Sequence, residues 1–115
     1  MHELSLAESV TNTIKSLCAQ SGWAKVRRVV IKVGHMRQVD PELLAFAFGI
    51  AGKGTVMENA DLSIMELPII LKCKACGKTS DCESMVFICP NCGNANVDVL
   101  SGMELAIESM EVEAV

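Results

Sequence analysis

The sequence predicts an α+β fold, a small three-stranded sheet packed by two helices, with a four-cysteine module inserted before the last strand. Three observations carry this. Apolar residues recur at helical spacing near the N-terminus and again after Asp40. β-branched residues alternate over residues 24–33, and a second strand-like alternation, Leu62, Ile64 and Glu66 against Ser63, Met65 and Leu67, follows. Residues 73–93 are dense in Cys, Gly, Lys and Asn, and strand-like alternation returns from Val97.

The first helix is expected over residues 4–21. Leu6, Ala7, Val10, Ile14, Leu17 and Cys18 form its apolar stripe. Ser5 followed by Glu8 matches a capping box, and Gly22 is a natural stop. The tip Met1-His2-Glu3 is expected to hang just before this helix. The first strand then alternates Arg27, Val29, Ile31 and Val33 with Arg28, Val30 and Lys32, and Gly34 ends it. Asp40-Pro41-Glu42 announces the second helix, with Asp at the cap, Pro at the first helical position and Glu in the first turn. Leu43, Leu44, Phe46, Ala47, Phe48 and Ile50 make it apolar nearly all round, which predicts a well-buried helix. The second strand runs through Leu62 and Ile64, and Pro68 makes its end an edge or exit. Met103, Leu105 and Ile107 alternate with Glu104, Ala106 and Glu108 in the last strand. This order divides the chain into an α/β domain, 1–70 plus 97–115, and an inserted domain, 71–96.

Composition excludes some functions. Half of the 115 residues are hydrophobic but only 3% are aromatic, so the core must be aliphatic. Few aromatics leave little platform for stacking bases. The net charge of -4 argues against a phosphate-neutralising surface, and no nucleic acid is expected as partner. The cluster Lys25, Arg27, Arg28 and Lys32 reads as one solvated strand edge. The apolar run Leu43 to Gly52 is shorter than the ~20 residues that span a bilayer, and no basic leader precedes it. A cytoplasmic location without membrane attachment is the expectation. Thiols there stay reduced, so the six cysteines read as ligands or spare thiols.

Cys73, Cys76, Cys89 and Cys92 lie in two C-x-x-C-G knuckles. Two thiolates separated by two residues grip one metal only if the chain reverses sharply. Glycine after the second cysteine permits that turn and lets backbone N–H groups approach sulfur. Four sulfurs in a tetrahedral array suit Zn(II), with iron the alternative. Such a module is zinc-ribbon-like. A closed shell leaves no position for substrate water, so the metal is structural and no enzyme is expected. Cys82, between the knuckles, is a spare thiol or an alternate ligand. Cys18 falls on the apolar stripe of the first helix.

His2 offers a second, different site. The Met1 amine, the deprotonated His2 amide and the imidazole can close fused rings on one ion. That nitrogen-rich set favours Ni(II) or Cu(II) in a tetragonal field, and Glu3 adds an amide and a carboxylate. On residues alone, a frayed terminus remains the other reading.

Several stretches together resemble the HypA/HybF family of hydrogenase nickel-incorporation proteins. They are Met1-His2-Glu3-Leu4-Ser5, the Pro41-to-Phe48 segment, Gly54-Thr55 with Glu58 and Ala60, both knuckles, and Gly102-Met103-Glu104-Leu105-Ala106-Ile107. The resemblance covers essentially the whole chain in order. It implies a nickel metallochaperone for hydrogenase maturation, with transient Ni(II) cargo on His2, helped by the terminal amine and by Glu3. It implies structural zinc on Cys73, Cys76, Cys89 and Cys92. Two partners are implied, a HypB-type GTPase and the precursor of the nickel–iron hydrogenase large subunit. Weak self-association into a homodimer is a further expectation. After Gly34 the family usually carries a plain apolar or small segment, whereas this chain has His35-Met36-Arg37. His35 is an accessory ligand or a solvated loop histidine, and Asp40 is a helix cap or a nickel ligand.

Two rival readings remain on sequence alone: a zinc ribbon serving transcription or RNA, and a rubredoxin-like iron centre. The first is opposed by charge and aromatic content, and the second would colour the protein.

Overall fold

The computed structural model describes residues 2–82 and 85–114, with the side chain of His2 outside the description. The chain forms two compact units. The first comprises Met1–Ile31, Val39–Met65 and Ala106–Val115, and the second Lys32–Gln38 and Glu66–Leu105.

Two helices belong to the first unit, α1 (His2–Ser21) and α2 (Pro41–Ala51). The expected α+β class is therefore present, but α1 begins earlier than Ser5 suggested. Glu3 sits in its first turn, where a carboxylate complements the helix dipole. His2 and Glu3 are thus part of the helix rather than a free tip. Gly22 ends α1 in the left-handed conformation, φ 73°. Ala7, Val10, Ile14 and Cys18 are buried on one face of α1, and α1 packs against α2. Leu17, seven residues after Val10 and on the same side of the helix, is exposed.

Asp40 caps α2 as expected. Its Oδ1 accepts from the N–H groups of Glu42 at 2.9 Å and Leu43 at 3.3 Å. Asp40→Ala is expected to cost about 1 kcal/mol of stability, and Asp40→Asn almost nothing, because Asn accepts the same bonds. Chemical denaturation of both variants checks this. The burial of α2 differs from expectation. Leu44, Ala47 and Phe48 are buried, whereas Leu43, Phe46 and Ile50 are exposed. Only one face packs, and an apolar sequence all round a helix does not fix how many faces find a partner.

Strand β1 (Trp23–Gly34) lies between β2 (Asp61–Leu67) and β6 (Leu105–Ala114) in a three-stranded sheet. These are the three strands that alternation picked out. Val29, Ile31 and Val33 are buried on alternate positions. Arg27 is exposed instead of sharing that face, because the buried position before Val29 is Val26, three residues earlier. The Arg27 guanidinium pairs with Glu113, its Nε donating at 2.6 Å. Together with Leu44 and Phe48, the β1 residues Val26, Val29 and Ile31 belong to a mainly aliphatic core with one aromatic ring. Each such side chain contributes about 1.5–3 kcal/mol through burial.

The second unit holds β3 (Ile69–Cys73), β4 (Thr79–Cys82) and β5 (Val97–Ser101) in a sheet of order β4-β3-β5, with both pairings antiparallel. This sheet was not foreseen. The alternation from Val97 onward splits into β5 and β6 in different sheets, with Gly102 at φ 119° turning the chain between them. Gly34 has a packing reason as well as a boundary role. A Cβ there would lie 2.0 Å from the carbonyl oxygen of Gly102. The two backbones approach closely enough for Met36 to donate to Gly102 at 2.8 Å. The core of this unit is small, with Ile69, Leu71 and Cys82 buried and Met36, Phe87 and Val97 packed against them.

Candidate metal centre

Each knuckle repeats the same backbone pattern. Cys73 donates to the Lys78 carbonyl at 2.9 Å and Cys89 to the Asn94 carbonyl at 2.9 Å. Gly77 donates back to Cys73 at 2.9 Å and Gly93 to Cys89 at 2.8 Å. Both glycines adopt positive φ, 75° and 76°. An L side chain in that conformation costs about 1–2 kcal/mol, which is why the sequence spends glycine there. The turn folds each cysteine pair back on itself. The N–H of Cys76 then points at the Cys73 Sγ, 3.4 Å away.

The four sulfurs converge. All lie within 4.8 Å of one another, with Cys73 and Cys92 3.5 Å apart and Cys76 and Cys89 3.7 Å apart. A tetrahedral ion with metal–sulfur bonds of about 2.3 Å requires sulfur separations of about 3.8 Å. The arrangement therefore fits a zinc-sized ion. Cys73 and Cys89 are buried, whereas Cys76 and Cys92 are exposed.

Crowding separates the thiol acidities. Cys76 is pulled down to about 6, first by the backbone hydrogen bond from Lys78, then by the Asn91 amide and the neighbouring thiols, against some desolvation. At Cys92 the Asn94 backbone pulls down, but Cys73, desolvation, Cys89 and Cys76 outweigh it and push the thiol up to about 11. Four thiolates cannot share so small a volume without a cation, and a bound divalent ion resolves the conflict. Asn91, whose Nδ2 lies 3.7 Å from the Cys76 sulfur, is a supporting residue that sequence reasoning missed. Its place between Cys89 and Cys92 was the available signal.

The remaining thiols lie apart from this cluster among the described residues. Cys82 is buried and donates to the Val86 carbonyl at 3.3 Å. Cys18 is buried in the first unit, and burial pushes its thiol up, as for an inert core cysteine.

At the other candidate site, Met1 and the His2 side chain lie outside the described residues. Glu3 is described, and its Oε2 accepts from the backbone N–H of Asp40 at 3.2 Å. The third residue of the chain is thereby tied to the cap of α2, a link across 37 positions that no local pattern announces. His35, in the second unit, faces Glu66 at 3.8 Å, and both side chains are about half exposed.

Comparison with known proteins decides the family. The hydrogenase/urease nickel incorporation metallochaperone family, hypA, matches residues 1–112. This chain belongs to the HypA family. The hydrogenase maturation factor HypA of Aquifex aeolicus is 37% identical over 114 residues, covering 98% of each chain. That of Trichormus variabilis is 37% identical over 115 residues, covering 100% of this chain and 98% of its own. The solution structure of the Ni metallochaperone HypA from Helicobacter pylori superposes with a TM-score of 0.72 at 26% identity, with full coverage of both chains. Membership of the HypA family makes the chain a metallochaperone for nickel incorporation in hydrogenase maturation, with a metal-binding four-cysteine site. A role in maturation implies contact with the hydrogenase maturation machinery.

Proposed function

We propose that this chain binds Ni(II) at its N-terminus and delivers it to the large-subunit precursor of a nickel–iron hydrogenase, while zinc on Cys73, Cys76, Cys89 and Cys92 is structural. The HypA-family match from residue 1 supports the reading, and so does the tether of Glu3 to Asp40. The nickel ligands are the Met1 amine, the His2 amide and imidazole, and Glu3. Amide nitrogens suit the role here because the first four N–H groups of a helix have no intrahelical acceptor. The partial positive charge of the helix end also favours the anion left when an amide loses its proton. Tying Glu3 to α2 limits the conformations of the tip before metal arrives.

The metals divide the chain functionally into a nickel-binding part, 1–70 plus 97–115, and a zinc-binding part, 71–96. Four thiolates would hold zinc and supply folding energy, not chemistry. The protein acts in the cytoplasm as a carrier, not an enzyme. It receives or passes nickel together with a HypB-type GTPase.

The test is the pH dependence of nickel affinity. Only neutral imidazole coordinates, and an ordinary histidine protonates near pH 6.5, so each proton displaced weakens binding about tenfold per unit of acidification. Affinity measured by calorimetry is expected to fall more than tenfold between about pH 7.5 and about pH 5.5. An affinity that does not move over this range contradicts the imidazole ligand.

A further inference from the structure

Each knuckle contributes one buried and one exposed sulfur, Cys73 with Cys76 and Cys89 with Cys92. A reagent in solvent therefore reaches Cys76 and Cys92 first. These two sulfurs are not held alike. Each receives one backbone N–H, from Lys78 at Cys76 and from Asn94 at Cys92. Cys76 also receives the side-chain amide of Asn91, which reaches across from the second knuckle to the first, its Nδ2 3.7 Å from the sulfur. Among the described residues no side-chain amide reaches Cys92. The backbone around the two knuckles differs as well. The first is framed by strands, with Cys73 ending β3 opposite Val97 and β4 starting at Thr79. The second lies outside any strand, and β5 begins only at Val97.

We infer that Cys92 is the reactive thiolate of the metal-loaded shell, a modification site for small soft electrophiles, and that Asn91 is the positioning residue that keeps Cys76 from sharing that role. The inference rests on the zinc reading, since it is the ion that holds all four sulfurs as thiolates. A hydrogen bond to a charged sulfur is strongest while the charge is present. Attack on carbon neutralises the sulfur, so the bond weakens as the transition state forms, and each donor raises the barrier. Cys92 has one donor fewer than Cys76. In the step, the Cys92 Sγ forms a bond to the electrophilic carbon and the leaving group departs with its electron pair. The thiolate becomes a neutral thioether, and no proton moves. The shell then lacks one of its four negative ligands, and the second knuckle, without a strand to hold it, opens first.

The test treats the full zinc-loaded chain with iodoacetamide and places the first alkylation by mass spectrometry of its peptides, while a zinc-binding dye follows metal release. In the wild type Cys92 is expected to react about tenfold faster than Cys76, the effect of one hydrogen bond to a charged group. Metal is expected to leave in step with Cys92. Asn91→Ala is expected to raise the Cys76 rate to about that of Cys92, with the Cys92 rate held within about twofold. A variant that merely loosened the module would raise both rates together. Equal rates at Cys76 and Cys92 in the wild type overturn the inference, as does an Asn91→Ala variant whose Cys76 rate does not move or whose two rates rise in parallel. The zinc reading fails in a different way. A chain that takes up no zinc contradicts it before any alkylation and overturns the inference with it, whereas a full zinc complement with two equal rates overturns the inference alone.

Discussion

A chain extended by one residue ahead of Met1, with His2 unchanged, is expected to bind nickel at least about 100-fold more weakly, equivalent to about 2.7 kcal/mol. The extension turns the terminal amine into a peptide amide and moves the new amine out of the chelate ring. It leaves every side chain in place. Glu3 keeps its hydrogen bond to Asp40, and α1 keeps its apolar contacts with α2. Fold and zinc content should therefore be unaffected, and only calorimetric nickel binding should change. Equal binding by both forms would place the nickel ligands among side chains, with His35 and Cys82 the first to examine.

Cys73→Ala is expected to have the opposite pattern. Cys73 is one of four converging sulfurs, and it is also the last residue of β3, paired with Val97 on β5. Its loss breaks the metal shell and leaves three thiols crowded without a full complement of ligands. Structural zinc contributes about 10–16 kcal/mol in finger peptides, far more than three buried residues such as Ile69, Leu71 and Cys82 can replace. Zinc content should fall well below one per chain. Amide resonances of β3, β4 and β5 should collapse in heteronuclear spectra, while those of α1 and α2 persist. The first unit has its own aliphatic core around Ile14, Ile31 and Leu44, so nickel affinity should change by less than about threefold. Retention of full zinc by the variant would remove Cys73 from the ligand set.

The features legible in the sequence were those written locally. The knuckles could be read because two residues between cysteines and a following glycine fix a turn within five positions. The start of α2 was equally plain, since cap, proline and acid are consecutive. The start of α1 was misplaced because Ser5 and Glu8 imitate a capping box inside a helix that already runs from His2. What depended on distant segments was not legible. Apolar residues all round α2 could not reveal that Leu43, Phe46 and Ile50 face outward. Nor could alternation after Val97 show that Gly102 sends the two halves into separate sheets. The Glu3–Asp40 hydrogen bond joins residues with no periodic relation, so only the fold brings it into view.

The separation of nickel from thiolate sulfur is tested most directly by nickel K-edge X-ray absorption on zinc-loaded protein carrying one nickel per chain. The expected spectrum contains nitrogen and oxygen scatterers with imidazole features and no sulfur, and the imidazole features disappear in His2→Ala. A sulfur shell around nickel would mean that the cysteines take the cargo and would contradict the two-site division.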